Sequence, residues 1–224
     1  MLKDPSNTSS KLYIYARDQA FLKIQFFAGD RAGDLGHTKT ADILYFSDKK
    51  GLIFNHTLTK SLRDGSSNLF ALRRYKDPFL CPVTALEVYI RMCDLLKISI
   101  RQGYLFRPAS NSGNVQPGPF DSSAAQARLT HYVQPFPQDF KDRRVTLLGL
   151  RSGCAISLAL SCADLNSIME HIGWKTTSTA EHYIKLHQVM APDGVSQTLA
   201  NISLDLCDIY QRQNTLCGFS KAFE

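Results

Sequence analysis

The chain has 224 residues, 44% of them hydrophobic and 21% charged, which is enough apolar surface for a sizeable core and excludes a broadly disordered polypeptide. A formal net charge of +6 and a pI near 9.0 tilt the expectation toward a polyanionic partner such as nucleic acid. Six scattered cysteines, Cys81, Cys93, Cys154, Cys162, Cys207 and Cys217, include no C-x-x-C pair, which argues against a zinc ribbon and a disulfide-stapled secreted fold and for reduced, mostly buried thiols. The opening MLKDPSNTSSKLYIY lacks the basic-then-apolar order of a signal peptide, and no apolar run approaches the roughly 18 residues that span a bilayer. The chain therefore reads as soluble and intracellular, with no membrane partner, and the N-x-S/T triplets at Asn7, Asn55 and Asn201 read as chance matches.

Residues 1–10 form a polar leader. Residues 11–29 read as helical, although Ala20, Leu22, Ile24, Phe26 and Phe27 are too densely apolar to separate one periodicity from another. Residues 42–46 and 51–57 are apolar, β-branched and aromatic on either side of the turn-prone SDKK, predicting a hairpin that 67–74 extends as a third strand. A short basic connection, TKSLRDGSS, lies between the last two strands. Pro82 at a first helical position, then Val83, Leu86, Ile90, Cys93 and Leu96, predict an amphipathic helix over 82–97. After a loop at 107–121, Ser122 or Ser123 caps a helix to about Val133. A long helical region opens near Leu148, with two buried faces joined at Ser161-Cys162. Residues 176–189 predict a further helix, and Val195, Leu199, Ile202, Leu206 and Ile209 a last one. The fold class is α+β, mainly helical, with one small three-stranded antiparallel sheet.

The Gly-rich stretch 29–36 lacks G-x-G-x-x-G order, and neither a phosphate-cradling G-x-x-x-x-G-K-[ST] loop nor a G-x-S-x-G elbow occurs. The six histidines make no metal-ligand pair. No cofactor and no metal are implied. The positive charge, by contrast, is clustered. Lys60, Arg63, Arg73, Arg74 and Lys76 face only Asp64 in one patch, and Lys141, Arg143, Arg144 and Arg151 face only Asp142 in another, whereas the residues after 189 are net acidic. Such patches are either solvated faces or surfaces for a phosphate backbone.

Five further features decide between these readings. Arg31 is followed by Asp34 just ahead of the predicted sheet. Lys60 falls at the end of the second predicted strand. Arg151 stands in LLGLRSG, Trp174 in HIGWKTT 23 residues later, and Tyr183 in AEHYIKL 9 residues after that. Taken singly, each has an ordinary explanation: a surface ion pair, a solvated lysine, a helix-surface arginine, a core tryptophan, a boundary tyrosine. Taken in order, together with CPVTALEVYI and LFRP, they resemble the catalytic domain of the tyrosine recombinases, the phage-integrase superfamily, and more narrowly the recombinases of Crypton or DIRS mobile elements. The likeness spans about residues 11–190, leaving 191–224 as a C-terminal helix and tail that could pack in trans.

That resemblance implies a DNA breaking and rejoining fold and strand transfer through a 3′-phosphotyrosyl link, with Tyr183 as nucleophile and without metal or ATP. It implies that Arg31 and Arg151 neutralise the phosphate, that Lys60 protonates the departing 5′ oxygen, that Trp174 bonds the phosphate or buttresses Tyr183, and that Asp34 orients Arg31. Arg63, Arg73, Arg74, Lys76, Lys141, Arg143 and Arg144 would line double-stranded DNA. Leu148 departs from the pattern, because it stands where a His or Lys usually assists proton transfer. Reduced activity, or a domesticated DNA-binding module that keeps the fold, is the alternative this departure raises. The resemblance further implies self-association on DNA as a dimer or tetramer, and a nuclear location if the source is eukaryotic and a cytoplasmic one otherwise; the family carries a helical clamp domain ahead of the catalytic one, and this chain reads as a catalytic fragment or a clamp-less relative.

Overall fold

The computed structural model describes residues 5–56, 68–110, 114–137, 144–161, 163–178 and 180–181. Its centre is a long first helix, α1 (Pro5–Ala28), against which residues 32–36, 68–73, 82–95, 122–133 and 147–160 pack. Tyr13, Ala16, Ala20, Phe21, Ile24 and Ala28 are buried in the apolar core, and so are the polar Arg17, Asp18 and Gln25. A helix covered on more than one side needs no single apolar stripe, which is why its sequence shows no clean period. The helix begins inside the segment read as a polar leader, because Pro5 suits a first turn, where the missing N–H costs nothing.

A one-turn helix α2 (Ala32–Gly36) leads into an antiparallel sheet of order β1-β2-β3, with β1 Ile43–Tyr45, β2 Gly51–His56 and β3 Asn68–Arg73. All three strands lie within the predicted segments. Register pairs Leu52 with Leu72, Phe54 with Phe70 and His56 with Asn68. The two-residue alternation therefore puts Leu52, Phe54 and His56 of β2 on the buried face with Phe70 and Leu72, while Leu69 is exposed. Phe54 and Phe70 stack at 4.9 Å, and the His56 ring meets Phe70 edge-on at 5.1 Å.

Helix α3 (Pro82–Leu95) has its proline at the first turn and lies along α1, where the Tyr13 and Tyr89 hydroxyls meet at 3.2 Å. Helix α4 (Ser122–Val133) is capped by Asp121, whose carboxylate accepts from the Ala124 N–H at 2.8 Å. This corrects the expected serine cap: Ser122 is already helical, and the Asp121 carboxylate also takes the Ser123 hydroxyl. Helix α5 (Leu147–Leu160) starts from a Thr146 cap, and α6 (Leu165–Ile172) from an Asp164 cap. Cys154, Ala155, Ala159, Ile168 and Ile172 form a second small core between α5 and α6, with Trp174 packed against it. Ala180 and Glu181 are helical. Thr177 and Ser178 are helical too; residue 179, residues 182–189 of the predicted 176–189 helix and the whole of the predicted 195–209 helix lie outside the described residues. No helix among the described residues is long and apolar enough to cross a membrane.

Candidate active site

The C-terminal end of α1 builds the site. Gly29 adopts φ +58°, its N–H bonds the Phe26 carbonyl oxygen at 3.1 Å, and the Asp30 N–H reaches back to the Gln25 carbonyl oxygen at 3.2 Å. This is a Schellman closure, which requires a left-handed residue after the helix. A side chain at this position would be blocked twice, since a Cβ would stand 2.8 Å from Ile172 Cγ1 and 3.2 Å from Cys154 Sγ. The closure turns the chain sharply, so that three consecutive residues face three different partners.

Gly29 presents its carbonyl oxygen to Arg151 of α5, whose Nη1 donates to it at 2.6 Å. Arg151 is 5% exposed, and its guanidinium carbon sits 5.5 Å from the centroid of the Trp174 ring. Trp174 is itself held by a turn, because left-handed Gly173 closes α6 and the Trp174 N–H bonds the Met169 carbonyl oxygen at 2.9 Å. Arg31 caps α2 from extended backbone, and its side chain is 44% exposed, with Nη1 3.6 Å from Asp34 Oδ2. Between them Asp30 turns inward and is 7% exposed.

Arg31, Leu148 and Arg151 meet around one cavity of about 240 Å³, lined also by Gln25, Asp30 and Leu147. Two glutamines fix its walls. Gln25 of α1 donates to the Leu147 carbonyl oxygen at 3.0 Å, and Gln126 of α4 accepts from the Leu147 N–H at 2.9 Å while donating to the Val145 carbonyl oxygen at 3.1 Å. The first turn of α5 is thereby tied to two other helices. Leu148 is 66% exposed at the mouth, and its side chain offers no polar atom.

The Asp30 carboxyl is buried in the lining beside the two arginines. Its Oδ1 accepts from the Arg31 N–H at 2.7 Å; its Oδ2 and the facing His56 Nδ1 are buried, 3.5 Å apart, without a hydrogen bond to either. Burial, reinforced by the nearby Asp34 charge, pushes the Asp30 carboxyl up to about 7, against the pull of the Arg31 N–H, Arg151 and Arg31. Burial also lowers His56, opposed by Asp34 and Asp42. The other ring nitrogen, Nε2, shares a 2.9 Å hydrogen bond with Thr38 Oγ1. Sequence reasoning passed over both residues. The available signal was the alternation of β2, which puts a histidine on the same buried face as Leu52 and Phe54.

The remaining candidates fall elsewhere. Arg73 pairs with Asp48 at 3.1 Å and lies over the Phe46 ring; Arg74 makes a two-pronged pair with Glu87. Lys76 and Arg144 are exposed. Lys60, Arg63, Lys141, Arg143 and Tyr183 lie outside the described residues. Among the described residues there is no cluster of His, Cys, Asp and Glu fit to hold a metal.

No family model matches the sequence, and no curated protein matches it. Solved structures do. The XerH site-specific recombinase bound to its palindromic difH substrate after cleavage superposes with a TM-score of 0.60 at 14% identity, over 84% of this chain and 49% of that one. The XerA recombinase gives 0.54 at 22% identity, over 79% and 58%. The Tn1549 transposon integrase in complex with transposon right-end DNA gives 0.51 at 12% identity, over 73% and 53%. This chain spans about half the length of those proteins. Its fold is that of tyrosine-recombinase catalytic domains.

Proposed function

We propose that the chain is a DNA strand-transferase domain acting through a 3′-phosphotyrosyl intermediate. The observation that carries this reading is the convergence of Arg31 and Arg151, far apart in sequence, on one cavity of phosphodiester size. Each guanidinium can bond non-bridging phosphate oxygens in a fork, and together they neutralise charge that grows in the transition state. Arg151 is pre-set for this by the Gly29 carbonyl and the Trp174 face, and Arg31 by Asp34. In this reading the Tyr183 hydroxyl gives its proton to solvent as it attacks phosphorus, the bond to the 5′ oxygen breaks, and Lys60 gives that oxygen its proton. The phosphoester energy stays in the protein–DNA bond, so a second 5′ hydroxyl can reverse the step without ATP. Solved relatives in fold that are held with DNA support double-stranded DNA as the partner. Assembly on DNA and the kinship with Crypton or DIRS recombinases belong to the same proposal.

A nicked duplex that traps the covalent intermediate tests it. A protein–DNA adduct that survives denaturation and disappears in Tyr183→Phe is the expected result. The second reading, a DNA-binding module that has kept the fold, draws on Leu148 at the cavity mouth, and it predicts duplex binding with no adduct.

A further inference from the structure

Asp30 and His56 are two buried titratable groups that the mechanism above does not use. Asp30 lines the cavity with Arg31 and Arg151, and one of its oxygens has no hydrogen bond although the residue is nine-tenths buried. A group left so is costly unless something enters the cavity to meet it. We propose that Asp30, as a neutral carboxylic acid, is a third hydrogen-bond donor to the phosphodiester beside the two arginines, and that His56 positions it from behind. The proposal rests on the strand-transfer reading for the identity of its ligand and deepens that site.

Charge sets the required protonation state. With Asp30 ionised, the two arginines are balanced by Asp30 and Asp34, and a phosphodiester anion meets a neutral pocket. With Asp30 protonated, the pocket keeps one positive charge and gains an O–H donor on a residue of its lining. The carboxyl titrates near 7, so both states lie within reach, and an arriving anion stabilises the protonated one. His56 has the right place to hold the acid. A Thr38 hydroxyl donating to Nε2 leaves the proton on Nδ1, 3.5 Å from Asp30 Oδ2. The charged and titratable groups facing the pair from the described elements are Arg31 at the cap of α2, Asp34 within it, Arg151 of α5 and Asp42 ahead of β1. Leu148 offers the cavity no hydrogen-bond donor, and a protonated Asp30 on the same lining does.

Sulfate is a suitable probe because it keeps its charge between pH 6 and 9. Its binding to the full chain is followed at the Arg31 and Arg151 Nε–H resonances, together with the ¹³C titration of the Asp30 carboxyl. Wild-type affinity should fall above pH 7, by up to about tenfold per pH unit for one linked proton, and saturating sulfate should move the Asp30 midpoint upward. Asp30→Asn, whose amide donates at any pH, should bind with little pH dependence, and at pH 8.5 more tightly than wild type. Equal pH slopes in the two proteins, or an Asp30 midpoint that sulfate leaves unmoved, would overturn the inference; the second measurement needs no variant. The adduct assay is separate: an absent adduct with a proton-linked sulfate site sinks strand transfer and keeps the acid.

Discussion

At the residue scale, the turn Gly29-Asp30-Arg31 concentrates the site's demands. Gly29 satisfies two of them, a positive φ and a close approach by Ile172 and Cys154. Gly29→Ala should therefore destabilise the domain by about 2–4 kcal/mol, the sum of left-handed strain and overpacking, as measured by urea unfolding. It should also weaken anion binding, because Arg151 takes its bearing from the Gly29 carbonyl oxygen. Asp30 makes a prediction about pH. Its folded carboxyl titrates near 7, above the ordinary value of 3.8, so between those values the folded state binds more protons than the unfolded one. Stability contributed by this group is thus full below about pH 4 and is lost as pH rises to 7. Asp30→Asn should be more stable than wild type at pH 8 by on the order of 1–3 kcal/mol, with the gap shrinking toward pH 5. Thermal melts across that range check the sign.

At the element scale, α1 carries polar as well as apolar contacts through the core. Asp18, 1% exposed, takes Arg17 at 2.6 Å, Arg128 of α4 at 2.6 Å and the Tyr132 hydroxyl at 2.8 Å. The Arg17 guanidinium also lies 3.8 Å from the Phe120 ring centroid. Removing one partner from such a buried network strands the others, at about 3–5 kcal/mol. Asp18→Ala should lose that much in urea unfolding, while the folded fraction keeps its sulfate affinity, because the network lies away from the cavity. Replacing Gln126 by Leu should act the other way round. It removes the tie between α4 and the first turn of α5, costing about 1–2 kcal/mol, and loosens the wall that carries Arg151, so the sulfate site should weaken several-fold.

On the scale of the whole molecule, the basic surface divides into charges already neutralised and charges still facing water. Arg73 and Arg74 are paired with Asp48 and Glu87, whereas Lys76 and Arg144 are exposed. For duplex DNA, each lysine or arginine that neutralises a phosphate adds about 0.9 to the slope of log affinity against log salt. Lys76→Ala and Arg144→Ala should each lower the slope by close to that value. Arg73→Ala and Arg74→Ala should lower it by less, since a carboxylate left behind repels the backbone. Filter binding at several salt concentrations measures all four, and equal slopes throughout would show that none of these groups meets a phosphate.

The sequence alone determined the local elements. Apolar, β-branched and aromatic runs beside a turn-prone SDKK gave the three strands, Pro82 and its apolar spacing gave α3, and the ordered Arg31, Lys60, Arg151, Trp174 and Tyr183 pointed to the fold. These are short-range signals, because period and turn chemistry are set by neighbouring residues. α1 was harder to read, since its burial on several sides erases the period that an exposed helix shows. What only the tertiary structure decided is which side chains share a space. That Arg31, Leu148 and Arg151 line one cavity, that Arg74 is spent on Glu87, and that Asp30 and His56 face each other beside the arginines all depend on the path of the chain after Gly29. No pattern along the sequence encodes the distance between residues that distant elements bring together; the packing of α5 and the sheet against the end of α1 does.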